Sequence, residues 1–377
     1  FGWRLPCCNC GDPWTLFNPC LGAWSFGGWV EAGVTLNSHG AFLNGPLAFP
    51  STDELMLNQL WFFAERKANT GGYGWDWGAR IDYVFGTDGP DTQAFGDGGW
   101  DFGWNSGGIN IPEHTYGSAI PQLYLEVAYN DLTIKLGRFY TILGYEVVQA
   151  PQNFFYSHAY TMNYGEPFTH TGALAEWAYN DETTLYGGYV AGWDTGWENP
   201  TDAHMFIGGI SLARWEDGTL TYTMIAGDLG FGGARGQGEN YTHSIVLEYQ
   251  LTDAWEYVFQ SDFGASTNNT RQGDNVHYFG INQYLFYAIN SCWSAGFRFE
   301  WFNAEDGYAV TGQPEDRGDY YALTAGLNYK PNPNVIIRPE IRADWYDATD
   351  PAAATLPFAN NTADDQFSAA IDFIFTF

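Results

Sequence analysis

The chain has 377 residues, 19% of them aromatic (17 Trp, 25 Tyr, 28 Phe), with 46 Gly and a net charge of −30 from 44 acidic and 14 basic residues. Phosphate binding needs basic surface, so this balance argues against nucleic acid as a partner. No apolar run approaches the roughly eighteen residues of a spanning helix (LWFFA at 60–64 is typical of the longest), which excludes a helical membrane protein; a mean hydropathy of −0.28 leaves room for strands apolar on one side only.

The N-terminus, FGWRLPCCNC, has no initiator Met and no apolar signal core, and reads as a processed form from which an export signal has been removed. Cys7, Cys8, Cys10 and Cys20 crowd this segment, and Cys292 stands alone far downstream. Their CC-x-C-x9-C spacing matches no zinc pattern, so the expectation is disulfides formed in an oxidising periplasm, with metal binding the alternative. Residues 1–23 are predicted to be a Cys-rich periplasmic segment or partial plug, in which one of the four cysteines pairs with Cys292; 24–377 form the main unit.

From residue 24 a repeating pattern sets in, of an alternating run, a long Gly/Asp-rich connection, another run and a short turn. The alternation predicts strands at 24–36, 57–66, 75–85, 120–129, 132–139, 170–179, 182–193, 205–215, 218–227, 241–251, 254–264, 276–288, 292–302, 319–329, 334–346 and 365–377. The last, DQFSAAIDFIFTF, puts Phe367, Ala369, Ile371, Phe373 and Phe375 on one face and Ser368, Ala370 and Asp372 on the other. Short turns such as YND (129–131) and INS (289–291) alternate with long connections such as 86–119 and 140–169. That is the habit of outer-membrane barrels, with short periplasmic turns and long extracellular loops.

Charge placement sharpens the reading. Glu31, Asp76, Arg80, Asp82, Glu126, Lys135, Glu176, Glu248, Glu256, Asp262, Arg298, Glu300, Arg338, Glu340, Arg342, Asp344 and Asp372 share the face opposite the large aromatics. An aromatic array uninterrupted by charge suits lipid, where a midplane Arg or Lys costs about 2–4 kcal/mol. The expectation is therefore an all-β, transmembrane, antiparallel β-barrel of about sixteen strands, with outer-membrane lipid around it and both termini on the periplasmic side.

The run 122–181, with LGR (136–138), G-x-E (144–146), APQN (150–153), FYSHAY (155–160) and P-x-x-H-T-G (167–172), resembles the OmpL-like β-barrel porin family. That resemblance covers most of the chain after residue 24 and implies an outer-membrane porin. It implies no catalytic residues and says nothing of the Cys-rich segment.

The connection 140–169 holds eight Tyr or Phe but only two charges, Glu146 and Glu166, and a loop so aromatic needs a wall to fold against. By analogy with sixteen-stranded porins it is expected to fold inward and narrow the pore. Basic residues facing it would be Arg80, Arg298, Arg338 and Arg342, joined by Arg138 if a bulge at Gly137 turns it inward. Two roles stay open for these cations: a basic wall setting a transverse field across the pore, or pairing with Glu300, Glu340 and Asp344 to satisfy a wet interior. Inward carboxylates outnumber inward bases, so weak cation selectivity is expected for small hydrophilic solutes and ions, in a homotrimer by the same analogy.

The loop 86–119 is acidic without a Lys or Arg; its Asp88, Asp91, Asp97 and Asp101 are weak candidates for Ca2+, without EF-hand spacing. No other cofactor is expected. H-E-x-x-H, P-loop and G-x-S-x-G motifs are absent, so the chain does not read as an enzyme. The remaining readings are a plugged structural or adhesive barrel whose acidic loops bind an external partner, and a hydrolase using Asp202 and His204.

Overall fold

The computed structural model describes residues 12–16, 23–40, 53–108, 111–215, 217–230, 238–267, 275–311, 316–352 and 354–377. Its strands are β1 (Ser25–Asn37), β2 (Leu55–Arg66), β3 (Trp75–Gly86), β4 (Asn105–Gly108), β5 (Ile111–Tyr129), β6 (Leu132–Tyr140), β7 (Thr169–Asn180), β8 (Thr183–Val190) and β9 (His204–Trp215). They continue as β10 (Gly218–Gly230), β11 (Gly238–Thr252), β12 (Trp255–Ser266), β13 (Val276–Ala288), β14 (Trp293–Ala304), β15 (Gly318–Asn332), β16 (Val335–Ala348) and β17 (Asp365–Thr376). Sixteen of them form a closed antiparallel ring in which each pairs with its neighbours in sequence. The seam is β1 on β17, running from Trp29 opposite Thr376 to Asn37 opposite Ser368.

The period-two pattern dictates which way each side chain points. Along β17, Phe367, Ile371 and Phe373 are exposed on the outer surface, while Ser368, Ala370, Asp372 and Ile374 are buried inside. Cross-strand aromatic pairs band the outer wall: Trp75–Tyr129, Trp255–Tyr287 and Trp293–Tyr329 at the short-turn end, with centroids 4.4–4.5 Å apart. Phe279–Trp301 and Tyr321–Trp345 stand nearer the long loops. Such girdles place amphipathic rings at the two membrane interfaces.

One element departs from the expectation. The connection expected over 86–119 contains β4 and the first nine residues of β5, a hairpin that pairs Asn105 with Gly117 beyond the rim. Pro112 and Pro121 argue against a strand in sequence. Pro121 is accommodated because the β3–β5 register slips between Asp82 and Val84, leaving it at an irregularity.

The N-terminal segment expected as a periplasmic segment or partial plug falls largely outside the described residues, as do Cys7, Cys8, Cys10 and Cys20. Its described portion meets the short-turn rim. Trp14 N donates to Asn334 Oδ1 at 2.8 Å, Asn334 Nδ2 returns to Trp14 O at 2.7 Å, and the Trp14 ring lies 5.7 Å from that of Phe375.

Candidate functional site: a lumen crossed by one loop

Residues 141–168 leave β6 and rejoin the wall at β7, and between those ends they are held by inward-facing side chains of distant strands. Gln59 on β2 donates to Val148 O at 2.7 Å and accepts from Ala150 N at 3.2 Å, and Tyr156 OH donates to Asn58 at 2.9 Å. On the other side Asn282 of β13 donates to Thr161 Oγ1, and Tyr278 OH to Gly165 O, both at 2.6 Å. The loop is thus inside the barrel, and Phe154, Phe155, Tyr156 and Tyr160 find their apolar cover there.

The three arginines of β14 and β16 lie beneath it. Arg338 is fixed by Asp372 at 2.6 Å and Glu31 at 2.9 Å, and its Nη1 donates to the carbonyls of Ala150, Asn153 and Phe155. Arg298 pairs with Glu300 and Glu146, both at 2.7 Å, and donates to Ser157 O. Arg342 pairs with Asp344 at 2.8 Å and Glu300 at 3.1 Å, and donates to His158 O. Carboxylates take the loop's amides in turn: Glu340 from Tyr156 and Ser157, Glu300 from Tyr160, Glu146 from Ala159. Three guanidiniums and six carboxylates (Glu31, Glu146, Glu300, Glu340, Asp344, Asp372) form one buried lattice, with each arginine 2% exposed or less. Burial pushes the Glu146 carboxyl up, but Arg298 and the hydrogen bonds from His158 and Ala159 outweigh it and hold it at about 2.

These cations therefore do not face the loop across water; they are covered by it and paired with wall carboxylates. Arg80 is elsewhere again, bound to Asp82 at 2.7 Å and Glu65 at 3.2 Å. Arg138 is also buried. No register shift interrupts β6; Gly137 takes φ +137° instead, and Arg138 donates to Thr92 O and Thr169 Oγ1 and pairs with Asp101 of the outer loop at 3.4 Å. Glu166 at the loop's far end accepts from Gln260 Nε2 at 2.5 Å, and no cation among the described residues lies beside it.

The remaining wall differs. Lys135, Glu176, Glu248 and Glu256 lie at least partly open on the lumen side, and none makes an ion pair with another described residue; the Lys135 ammonium sits 5.4 Å over the Tyr124 ring. Next to Glu256, at the short-turn end, is a cavity of about 280 Å³ lined also by Tyr145, Phe154, Ser294, Asn328 and Lys330. Buried Cys292 lies at this end, its carbonyl accepting from Lys330 N at 2.8 Å; it is the one cysteine among the described residues.

The outer-loop aspartates are turned to other tasks. Asp97 accepts from Trp197 and Glu198 N, Asp101 from Ala94 and Ile120 N, and Asp88 from Gln59. Among the described residues no three His, Cys, Asp or Glu converge as a metal would need. Asp202 and His204 do approach, at 3.4 Å, but at 85% and 56% exposure they lack the water-excluded setting in which such a pair gains catalytic force.

Sequence reasoning offered Glu300, Glu340 and Asp344 as partners in one of its two readings; Glu300 and Asp344 do pair, Glu340 takes loop amides instead, and Glu31, Glu146 and Asp372 were not named as partners. The signal for pairs within a strand was present: Arg80-Ile-Asp82, Arg298-Phe-Glu300 and Arg342-Ala-Asp344 each place a base and an acid two residues apart, on one face of one strand. Asn58, Gln59, Gln260, Asn282 and Tyr284 carry no such mark, and only the loop's path reveals them.

Compared with known families, residues 24–377 match the model described as "Putative beta-barrel porin-2, OmpL-like". No curated protein sequence matches the chain. Among solved structures, the outer membrane channel DcaP of Acinetobacter baumannii is similar at TM-score 0.63 and 9% identity, over 97% of this chain and 100% of that one. An anion-selective porin from Comamonas acidovorans aligns at TM-score 0.64 and 8% identity, covering 94% and 99%. The trimer form of OmpT, an outer membrane protein of Vibrio cholerae, aligns at 0.59 and 11%, covering 94% and 99%. At such identities the likeness is one of fold.

Proposed function

The chain belongs to the OmpL-like β-barrel porin family and lies in the bacterial outer membrane, and from that premise we propose a passive channel for small hydrophilic solutes and ions with a weak preference for cations. One observation carries the preference. The arginines are neutralised under the loop, so the field in the open part of the lumen is left to Glu126, Glu176, Glu248 and Glu256 against Lys135 and Lys330. The Comamonas porin, of similar fold, is described as anion-selective, so the preference proposed here rests on lumen charge and draws nothing from the fold. Acidic outer loops add cations at the mouth, with a reach of about 8–10 Å at physiological salt, so the preference declines as salt rises. Reversal potential across a KCl gradient in planar bilayers tests the reading. Cations should permeate better, and Glu248→Gln with Glu256→Gln should bring the ratio toward unity; anion preference in the unmodified protein would overturn it.

A second reading, a plugged barrel with a structural or adhesive role, draws on how thoroughly the loop is bonded to the wall and on Trp14 at the rim. Absence of conductance from correctly folded protein would favour it. We also propose a homotrimer, following the trimeric Vibrio OmpT; native mass spectrometry in detergent showing only monomers would remove it.

A further inference from the structure

We propose that the short-turn end of the lumen holds a binding site for a zwitterionic α-amino acid with an apolar side chain. The cavity of about 280 Å³ there carries two opposite charges on its lining, Glu256 of β12 and Lys330 of β15. Neither makes an ion pair with the other or with any described residue. Three strand spacings, about 14 Å, separate their positions on the wall. The two long side chains reach in from opposite sides and leave room for both charged groups of one small molecule. An acid and a base held apart in one pocket complement a ligand that carries both charges.

The apolar side of the pocket is fixed before any ligand arrives. Phe154 packs with its ring centroid 4.7 Å from that of Phe286, and Tyr145 lies 4.9 Å from Tyr284. Gly296 of β14 makes the seat for Phe154, since a Cβ there would fall 2.3 Å from the ring. The preceding residue, Asn153, accepts from Val147 N at 3.0 Å and donates to Val147 O, which locks the turn that presents Phe154. Rings already in place receive an apolar side chain at little cost in ordering.

What points to a ligand is Asn328. It is only 6% exposed, its Oδ1 is buried with no hydrogen-bond partner, and nothing among the described residues takes its Nδ2. Strand alternation turns it into the lumen with Lys330, opposite Ser294 of β14, and all three line the same cavity. A buried amide that bonds to nothing is costly. An amino acid answers it from both ends: the ammonium donates to Oδ1 and to Glu256, while the carboxylate accepts from Nδ2 and from Lys330 Nζ. A simple cation would leave Lys330 beside it unmatched, and a simple anion would face Glu256 and Asp253 on the same lining.

The site gives the proposed channel a solute class, and rests on that reading only for how the solute arrives. The test is calorimetric titration of the refolded full chain in detergent micelles at pH 7. Three probes share one ring and differ in charge: L-phenylalanine, 2-phenylethylamine and 3-phenylpropanoate. We expect phenylalanine to bind and each singly charged analogue to bind at least about tenfold more weakly. Glu256→Gln and Lys330→Met should each weaken phenylalanine about tenfold, and Lys330→Met should leave 2-phenylethylamine unchanged. Asn328→Leu should weaken phenylalanine as much while its urea-unfolding midpoint stays at or above the parent's; a merely structural amide would lower that midpoint and spare binding. Should Asn328→Leu misfold, the two charge variants carry the test, since both side chains stand partly in water. Equal binding of phenylalanine and 2-phenylethylamine would mean that the acidic lumen alone attracts the ligand, and would overturn the site. So would the absence of phenylalanine binding, or undiminished binding by the double charge variant. Binding is read in micelles and conduction in bilayers, so failure of the site and failure of the channel reading are told apart.

Discussion

The lumen has two walls built on the same alternation, and they treat charge in opposite ways. From β13 round to β2 the inward charges are buried under the loop and matched: Arg298 with Glu300 and Glu146, Arg338 with Asp372 and Glu31, Arg342 with Asp344. From β5 to β12 the periplasmic half shows Lys135, Glu176, Glu248 and Glu256, which make no ion pair with another described residue, Lys135 resting over the Tyr124 ring. A charge withdrawn from water needs a counter-charge and a full set of hydrogen bonds, whereas one left in water needs neither. The difference teaches that residues of one type, on one face of one sheet, divide into structural and field-setting groups according to whether the loop covers them.

The largest effect should come from breaking the covered lattice. Arg338→Met leaves Asp372 and Glu31 buried without their cation and three loop carbonyls without a donor. The expected loss is about 3–5 kcal/mol in urea unfolding from detergent, while Lys135→Met, on the open wall, should fall within about 1 kcal/mol of the parent. Equal losses would erase the distinction between the walls.

Next in size is the contrast between inside and outside. Phe297→Arg puts a charge on the lipid face and should cost about 2–4 kcal/mol of folding into bilayers, against little for Ser294→Arg in the wet short-turn cavity. Arg at Thr324 should cost more than at Ser294 although both face inward, because Thr324 is buried and accepts from Arg298 Nη2 at 3.3 Å.

A smaller, pH-dependent effect concerns Glu146. Its folded pKa, about 2, lies below the unfolded value, so its contribution is present above the unfolded pKa and is lost as pH falls through about 2. Hydrogen exchange of the loop amides should thus show no loosening from this group between pH 7 and 5, and loosening as pH drops below 4; Glu146→Gln should abolish that acid limb.

The smallest change is covalent. We propose that Cys292 is cross-linked to one of Cys7, Cys8, Cys10 and Cys20, and unreduced peptide mapping should find that link; a free Cys292 thiol would end the proposal.

Most of the barrel was legible because one face of every strand answers to lipid. Val30, Ala32 and Val34 against Glu31 and Gly33 can only be an outward and an inward row, and a slip by one residue would put Glu31 in hydrocarbon. The β4–β5 hairpin was not legible, because Gly107, Gly108 and Pro112 break the alternation there, while Pro121 hides the continuation into β5. Inward charges were legible as inward, but the covering of Arg298 and Arg342 was not. It depends on the path of 141–168, which its aromatic content places against a wall without saying which wall. The short-turn cavity was the least visible, since Glu256 comes from β12, Asn328 and Lys330 from β15, and Tyr145 from the loop between β6 and β7.

Asn334 has a kinetic meaning. Its amide receives Trp14 N, donates to Trp14 O and to Thr376 O, and its own carbonyl accepts from Thr376 N at 2.8 Å, so one side chain and its backbone hold both extremities of the fold at one point on the rim. Bringing β1 to β17 closes the longest loop in the molecule, whose entropic cost grows only with the logarithm of its length. Were the clasp of residues 14 and 376 to form ahead of the seam hydrogen bonds, it would restrict that search, and ring closure would become the zipping of strands already side by side.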